Sequence, residues 1–153
     1  MNYVFGISIA LLCLTSPMHD LIYPPKKAKC PFKNGVLKKL TEHHGAILGP
    51  GQSTVDIWGT DSIIVSATDG RVTDVISVQG TPFIRIQTDT TIFFYADFDH
   101  PLVREGQQVR AGQPIAFSSD NQIEFYVANN LGKIFHHPEE YVDCVCELPK
   151  ADK

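Results

Sequence analysis

From Thr54 onward, Val, Ile, Phe, Tyr and Thr gather in short runs divided by Gly, Asp, Asn or Ser. The runs Ile63 to Ala67, Val72 to Val78, Phe83 to Gln87, Thr91 to Tyr95, Pro114 to Phe117 and Gln122 to Val127 predict strands. Branched and aromatic side chains fit a pleated surface, and the polar punctuation ends each run. Gln79-Gly80 and Asp89-Thr90 predict hairpin turns, since Gly and Asp tolerate the backbone angles such turns require. Short strands at this regular spacing predict an all-β barrel or sandwich. Upstream the pattern is less decisive. Val36 to Leu40 fits one helical turn or a strand, and Gly45 to Gly51, with three glycines and a proline, predicts a loop. That loop is no phosphate cradle, because it lacks the Gly-Lys-Ser/Thr ending.

The apolar run from Tyr3 to Pro17 has the length of a signal-peptide core and is short for a membrane span, so export to the periplasm or the extracellular envelope is expected. No Lys or Arg precedes it and no small-x-small cleavage site follows, which leaves a buried strand as the other reading. Cys13 follows Ala10-Leu11-Leu12 much as in a lipoprotein box, with Leu12 where a small residue is usual; a membrane contact is expected only if Cys13 is lipidated. With 153 residues, 43% of them hydrophobic, the chain suits one domain with a real core. The expected division is residues 1–20 as signal peptide, 21–50 as extension and loop, 51–143 as the β domain and 144–153 as a tail.

A net charge of -4 argues against nucleic acid as a partner. The one basic cluster, Lys26, Lys27 and Lys29 with Lys33, Lys38 and Lys39, reads as a solvated surface. Beyond the signal segment three cysteines remain. Cys30 can pair with Cys144 or Cys146 in an oxidising compartment, and the odd count leaves the choice open. Cys144-x-Cys146 has no second Cys or His pair at zinc-finger distance, and the adjacent pairs His43-His44 and His136-His137 point to opposite faces of any strand, so no structural zinc site is expected.

Two glycine-bearing stretches carry the most information. Ser66-Ala67-Thr68-Asp69-Gly70-Arg71-Val72 and the Val103 to Ala116 segment, with its Val-x-x-Gly-x-x-Val-x-x-Gly-x-x-Ile pattern, place Gly where strands must reverse, with Val or Ile nearby to bury. Together they resemble the barrel-sandwich hybrid of biotinyl and lipoyl domains, phosphotransferase IIA domains and LytM/lysostaphin-type peptidoglycan metallopeptidases. The first would present a Lys at a hairpin tip, yet there is none between Lys39 and Lys133; the second needs a His in the barrel, yet there is none between His44 and His100. The flanks match the third. Gln52-Ser53-Thr54-Val55-Asp56, Ala67-Thr68-Asp69-Gly70-Arg71-Val72, Tyr95-Ala96-Asp97-Phe98, Gln122-Ile123-Glu124-Phe125-Tyr126-Val127 and Pro138-Glu139-Glu140-Tyr141-Val142 resemble, in order, the landmarks of the LytM/lysostaphin family, from Gly51 to Val142.

That resemblance implies the duplicated hybrid motif as fold, and it also marks departures. The family's zinc rests on a His, an Asp and the second His of His-x-His, with further histidines assisting the water. The corresponding residues are Gln52, Asp56 and Glu124, with Asp97 and Gln122 for the assisting pair, so only the Asp is kept. A Gln amide is a poor zinc ligand, and zinc hydrolysis needs three firm ligands and an open position. The family's loop before His-x-His is also reduced here to Phe117-Ser118-Ser119-Asp120-Asn121. The resemblance therefore implies an inactive, LytM-like envelope domain with no cofactor, which binds peptidoglycan or a cell-wall hydrolase through Gln52, Asp56, Asp97, Gln122 and Glu124. Trp58, the single tryptophan, offers a stacking face or is simply a strand-edge aromatic. The rival is a divergent peptidoglycan endopeptidase, in which Asp56, Asp97 and Glu124 hold zinc or a hard cation such as Ca²⁺ or Mg²⁺. A secreted interaction module unrelated to the wall is the third reading. Asp99-His100-Pro101 reads as turn chemistry.

Overall fold

The computed structural model describes residues 27–43, 52–78, 80–131 and 137–147. The apolar run with Cys13, the Gly45 to Gly51 loop, His44 and His136 lie outside the described residues. Among those described, the chain is all-β apart from a single 3₁₀ turn at Pro138–Glu140. The strands are β1 (Ala28–Lys29), β2 (Val36–His43), β3 (Gln52–Trp58), β4 (Ile63–Val65), β5 (Gly70–Val78), β6 (Thr81–Gln87), β7 (Thr91–Ala96), β8 (His100–Pro101), β9 (Gln108–Val109), β10 (Pro114–Phe117), β11 (Gln122–Asn129), β12 (Val142–Asp143) and β13 (Val145–Cys146). One large sheet runs in the order β13-β2-β3-β11-β7-β6-β5-β9, and β4-β10-β8 and β1-β12 form two smaller ones.

Alternation decides which face of the large sheet becomes the core. Successive strand residues point to opposite sides, so Val55 and Ile57 on β3 share a side with Ile123, Phe125 and Val127 on β11, Phe93 and Tyr95 on β7, and Ile84 and Ile86 on β6. All are buried, and they close against Ile64, Val72 and Ile115. Tyr95 brings a polar atom into that core. Its phenol oxygen accepts a hydrogen bond from the Ala67 amide at 2.9 Å. Burial pushes its ionisation far above the usual tyrosine range, so at neutral pH it is a fixed neutral partner for the Ser66–Asp69 corner.

Val36 to Leu40, open between helix and strand in the sequence, is strand. It forms the start of β2, where Leu37 packs into the core beside Ile57. Lys38 is the extra residue of a bulge, which lets β2 pair with β3 on either side of it.

The two glycine-bearing stretches lock onto each other. The Gly112 amide donates to the Ser66 carbonyl and the Ser66 amide to the Gln113 carbonyl, both at 2.8 Å, while Gly106 and Val72, and Val72 and Gln107, are bonded in the same way at 2.8 and 2.9 Å. Asp69 caps the interlock by accepting the Ala111 amide at 2.8 Å. The turns at Arg104–Gln107 and Arg110–Gln113 are built alike. In each, the Gln side-chain oxygen accepts the Arg amide, at 3.2 and 3.1 Å, and Gly106 and Gly112 take φ of 83° and 87°. Gly70 departs from the expectation. It opens β5 rather than reversing the chain, and its constraint is close approach: a Cβ there would stand 2.7 Å from the Gln87 carbonyl oxygen.

Cys30 is bonded to Cys144, which settles the choice the sequence left open. The bridge spans 114 residues. It fastens the parallel pair β1–β12, and next to it β13 pairs in parallel with β2, so both ends of the described chain are held to one edge of the molecule.

Candidate functional site

The face of the large sheet turned away from the core carries the polar residues of β3 and β11. Thr54, Asp56 and Trp58 alternate with the buried Val55 and Ile57, and Gln122, Glu124 and Tyr126 alternate with Ile123, Phe125 and Val127. Register then brings particular pairs together. Glu124 lies directly opposite Asp56 on one side and Ala96 on the other, and Gln122 lies opposite Trp58. Facing side chains on neighbouring strands are within contact range, so Asp56, Trp58, Gln122 and Glu124 form one patch. Glu124 is also held across the strands: the buried Thr54 hydroxyl donates to its Oε1 at 2.7 Å.

The remaining two predicted residues sit at the margins. Asp97 follows β7 immediately after Ala96, is exposed and adopts φ of 62°, and its amide donates to the Pro82 carbonyl at 3.3 Å. Gln52 begins β3 opposite His43. It stands four residues before Asp56, roughly 13 Å along an extended strand. Trp58 is 38% exposed, with the Lys38 ammonium 5.2 Å from its ring centre. Gln122 is fixed through its backbone. Its carbonyl accepts the Ser118 hydroxyl at 2.8 Å, within the Ser118–Asn121 turn that joins β10 to β11.

Several residues of this face are absent from the set chosen by sequence. Thr54 is one, and the aromatic group beside the patch is another. Phe94 and Tyr126 stack at 4.2 Å with nearly parallel rings, Phe83 tilts against both, and Arg85 stands 5.4 Å over Phe94 while pairing with Asp74 at 3.0 Å. Burial pushes the Tyr126 phenol well above the usual tyrosine range; Arg85 pulls it back and Glu124 pushes it further. Phase was the available signal, since Thr54 is in step with Asp56, and Tyr126 with Glu124.

No protein-family model matches this chain, and no curated protein matches it either. Solved structures do. Csd3 from Helicobacter pylori, in its orthorhombic crystal, is 25% identical with a TM-score of 0.50, over 60% of this chain and 26% of Csd3. In its hexagonal crystal the match is 19% identical with a TM-score of 0.56, over 78% of this chain and 34% of Csd3. The catalytic domain of a mutant of the prophage-encoded M23 protein EnpA from Enterococcus faecalis is 17% identical with a TM-score of 0.55, over 73% of this chain and 95% of that domain. These are LytM/M23 peptidase structures. The chain is LytM-like. Its fold is of the LytM/lysostaphin type, and it spans about a quarter to a third of Csd3.

A zinc ion is what that fold implies, so the donors of the LytM-like domain can be set against it. Zinc takes imidazole, thiolate or carboxylate at about 2.0–2.3 Å in a tetrahedron. Here the residues that face each other are two carboxylates, Asp56 and Glu124, with a Gln and a Trp beside them, and one Glu124 oxygen already accepts the Thr54 hydroxyl. Among the described residues no three His, Cys, Asp or Glu side chains converge to hold a metal ion. This donor set does not fit a family-type zinc site.

Proposed function

We propose that the LytM-like domain is a non-catalytic module of the cell envelope, which binds peptidoglycan or regulates a cell-wall hydrolase through the face made by β3, β11 and the end of β7. One observation carries the reading. Where the fold would gather zinc ligands, Glu124 faces Asp56 and is hydrogen-bonded by Thr54, with no imidazole among Gln52, Asp56, Asp97, Gln122 and Glu124. Carboxylates, carboxamides and a half-exposed indole suit recognition of a strand rich in amides and hydroxyls. The fully formed Cys30–Cys144 bridge agrees with export into an oxidising compartment.

The test uses the full chain after removal of any leader. Retention on insoluble peptidoglycan, weakened by Trp58→Ala, is the expected result, together with no turnover of peptidoglycan in the presence of added zinc. Stoichiometric zinc, Ca²⁺ or Mg²⁺ by elemental analysis, with turnover abolished by Asp56→Ala, would establish the divergent endopeptidase instead. No retention at all would favour a secreted module unconnected with the wall.

A further inference from the structure

A second cleft, of about 490 Å³, opens between β1, the Ser66–Asp69 corner and the β6–β7 hairpin. It lies by Thr91 at the start of β7, whereas Asp97 follows the other end of that six-residue strand, about 20 Å away by strand rise. It also reaches Phe93, which points to the core side, opposite to Glu124. The two sites therefore share no residue.

The lining is specific in its chemistry. Tyr141 and the edge of the largely buried Phe93 supply aromatic surface, the hydroxyls of Thr90 and Thr91 are hydrogen-bonded to each other at 3.3 Å, and Lys27 and Lys29 also line the cleft. Asp69 is the single carboxylate of the lining, and it already accepts the Ala111 amide. Lys29 is steadied from the same corner, its ammonium donating to the Ala111 carbonyl at 3.5 Å. A smaller cleft of about 370 Å³ adjoins the first, sharing Asp69 and Thr88 with it, and is lined further by Arg71, Asp89 and Gln108. An excess of positive charge selects an anion, and hydroxyls beside aromatic surface select a polar ring over an apolar side chain.

We propose that this cleft binds a carboxylated saccharide, with the carboxylate between Lys27 and Lys29 and the ring hydroxyls toward Thr90 and Thr91. The assignment stands whether or not the β3–β11 face binds peptidoglycan. The test is a titration of the isotope-labelled full chain, followed through its backbone amides by NMR, with glucuronate and N-acetylmuramic acid as probes. Both should shift the amides of Thr90, Thr91 and Ala111, while glucose and N-acetylglucosamine bind about tenfold more weakly for want of the charge-assisted contact. The Lys27→Gln/Lys29→Gln double variant should lose the sugar-acid response and retain the dispersed amide spectrum of the folded chain. Single Thr91→Val separates the hydroxyl wall from the charges and should weaken both acids alike. Equal shifts from sodium acetate alone, tighter binding of an acidic tripeptide, or no response to either sugar acid would overturn the proposal.

Discussion

The two faces of the large sheet come from the same strands and obey different constraints. On the core side Val55, Ile57, Tyr95, Ile123 and Phe125 are fully buried, and one register satisfies all of them. On the other side the same register sets Glu124 against Asp56 and Gln122 against Trp58, polar pairings that the burial of apolar surface does not call for. The core face explains why the chain folds this way. The polar positions on the opposite face, which burial does not require, are where a selected role is to be sought.

The sharpest way to break this contrast is a pair of truncations. Phe125→Ala removes a fully buried ring that touches Phe93 and Tyr95 and should cost about 3–5 kcal/mol, read as a fall in the denaturant midpoint. Trp58→Ala removes a larger ring from the other face, but one that is 38% exposed with the Lys38 ammonium over it, and should cost only about 1 kcal/mol. Similar losses for the two would mean that the outer face is part of the folding core.

Much of the core face was legible in the sequence because strand alternation is a local signal. The runs from Val72 to Val127 correspond to β5, β6, β7, β10 and β11 with ends moved by a few residues, and Gly80, at φ of 88°, sits in the predicted hairpin. Val36 to Leu40 was ambiguous because apolar residues at positions one, two and five suit a helical turn as well as a strand; pairing with β3 decides it. The reason for Gly70 was not readable, since it depends on the Gln87 carbonyl packed against it from another strand. The outer face was only partly legible. Asp56, Trp58, Gln122 and Glu124 were singled out and do adjoin, but the resemblance that named Gln52 says nothing of its distance from Asp56 along a continuous strand, and it passed over Thr54. A hydroxyl's role there follows from which carboxylate comes within 2.7 Å, and that is a property of the register.

A smaller effect tests whether the outer face is organised or merely polar. Thr54→Val keeps the shape of a buried side chain and deletes the hydroxyl that donates to Glu124. It should cost about 1–3 kcal/mol, since a partly buried carboxylate loses a donor. Combined with Glu124→Gln the loss should shrink, because a neutral amide needs that donor less, and a double-mutant cycle with a coupling near zero would show that the bond contributes nothing to the face.

The smallest expected effect concerns the rim where the outer face meets the β10–β11 turn. Asp99 is fully exposed, yet its carboxylate accepts the Ser119 amide at 2.5 Å, and this contact, followed by the Ser119 side chain and a weak attraction to His100, holds its pKa below the usual aspartate range. A depressed folded pKa means that the carboxylate favours the folded state fully above the ordinary aspartate value of about 3.9, and that this contribution fades as the pH falls through the lower, folded value. Asp99→Asn should therefore lower the melting temperature slightly at pH 7. The gap between the two proteins should stay constant down to about pH 4 and close in stronger acid, where both carry a neutral side chain at that position. A gap that persists at pH 2 would place the effect in the turn's geometry, and the rim would then belong with the core face, ordered by packing and backbone pairing instead of charge.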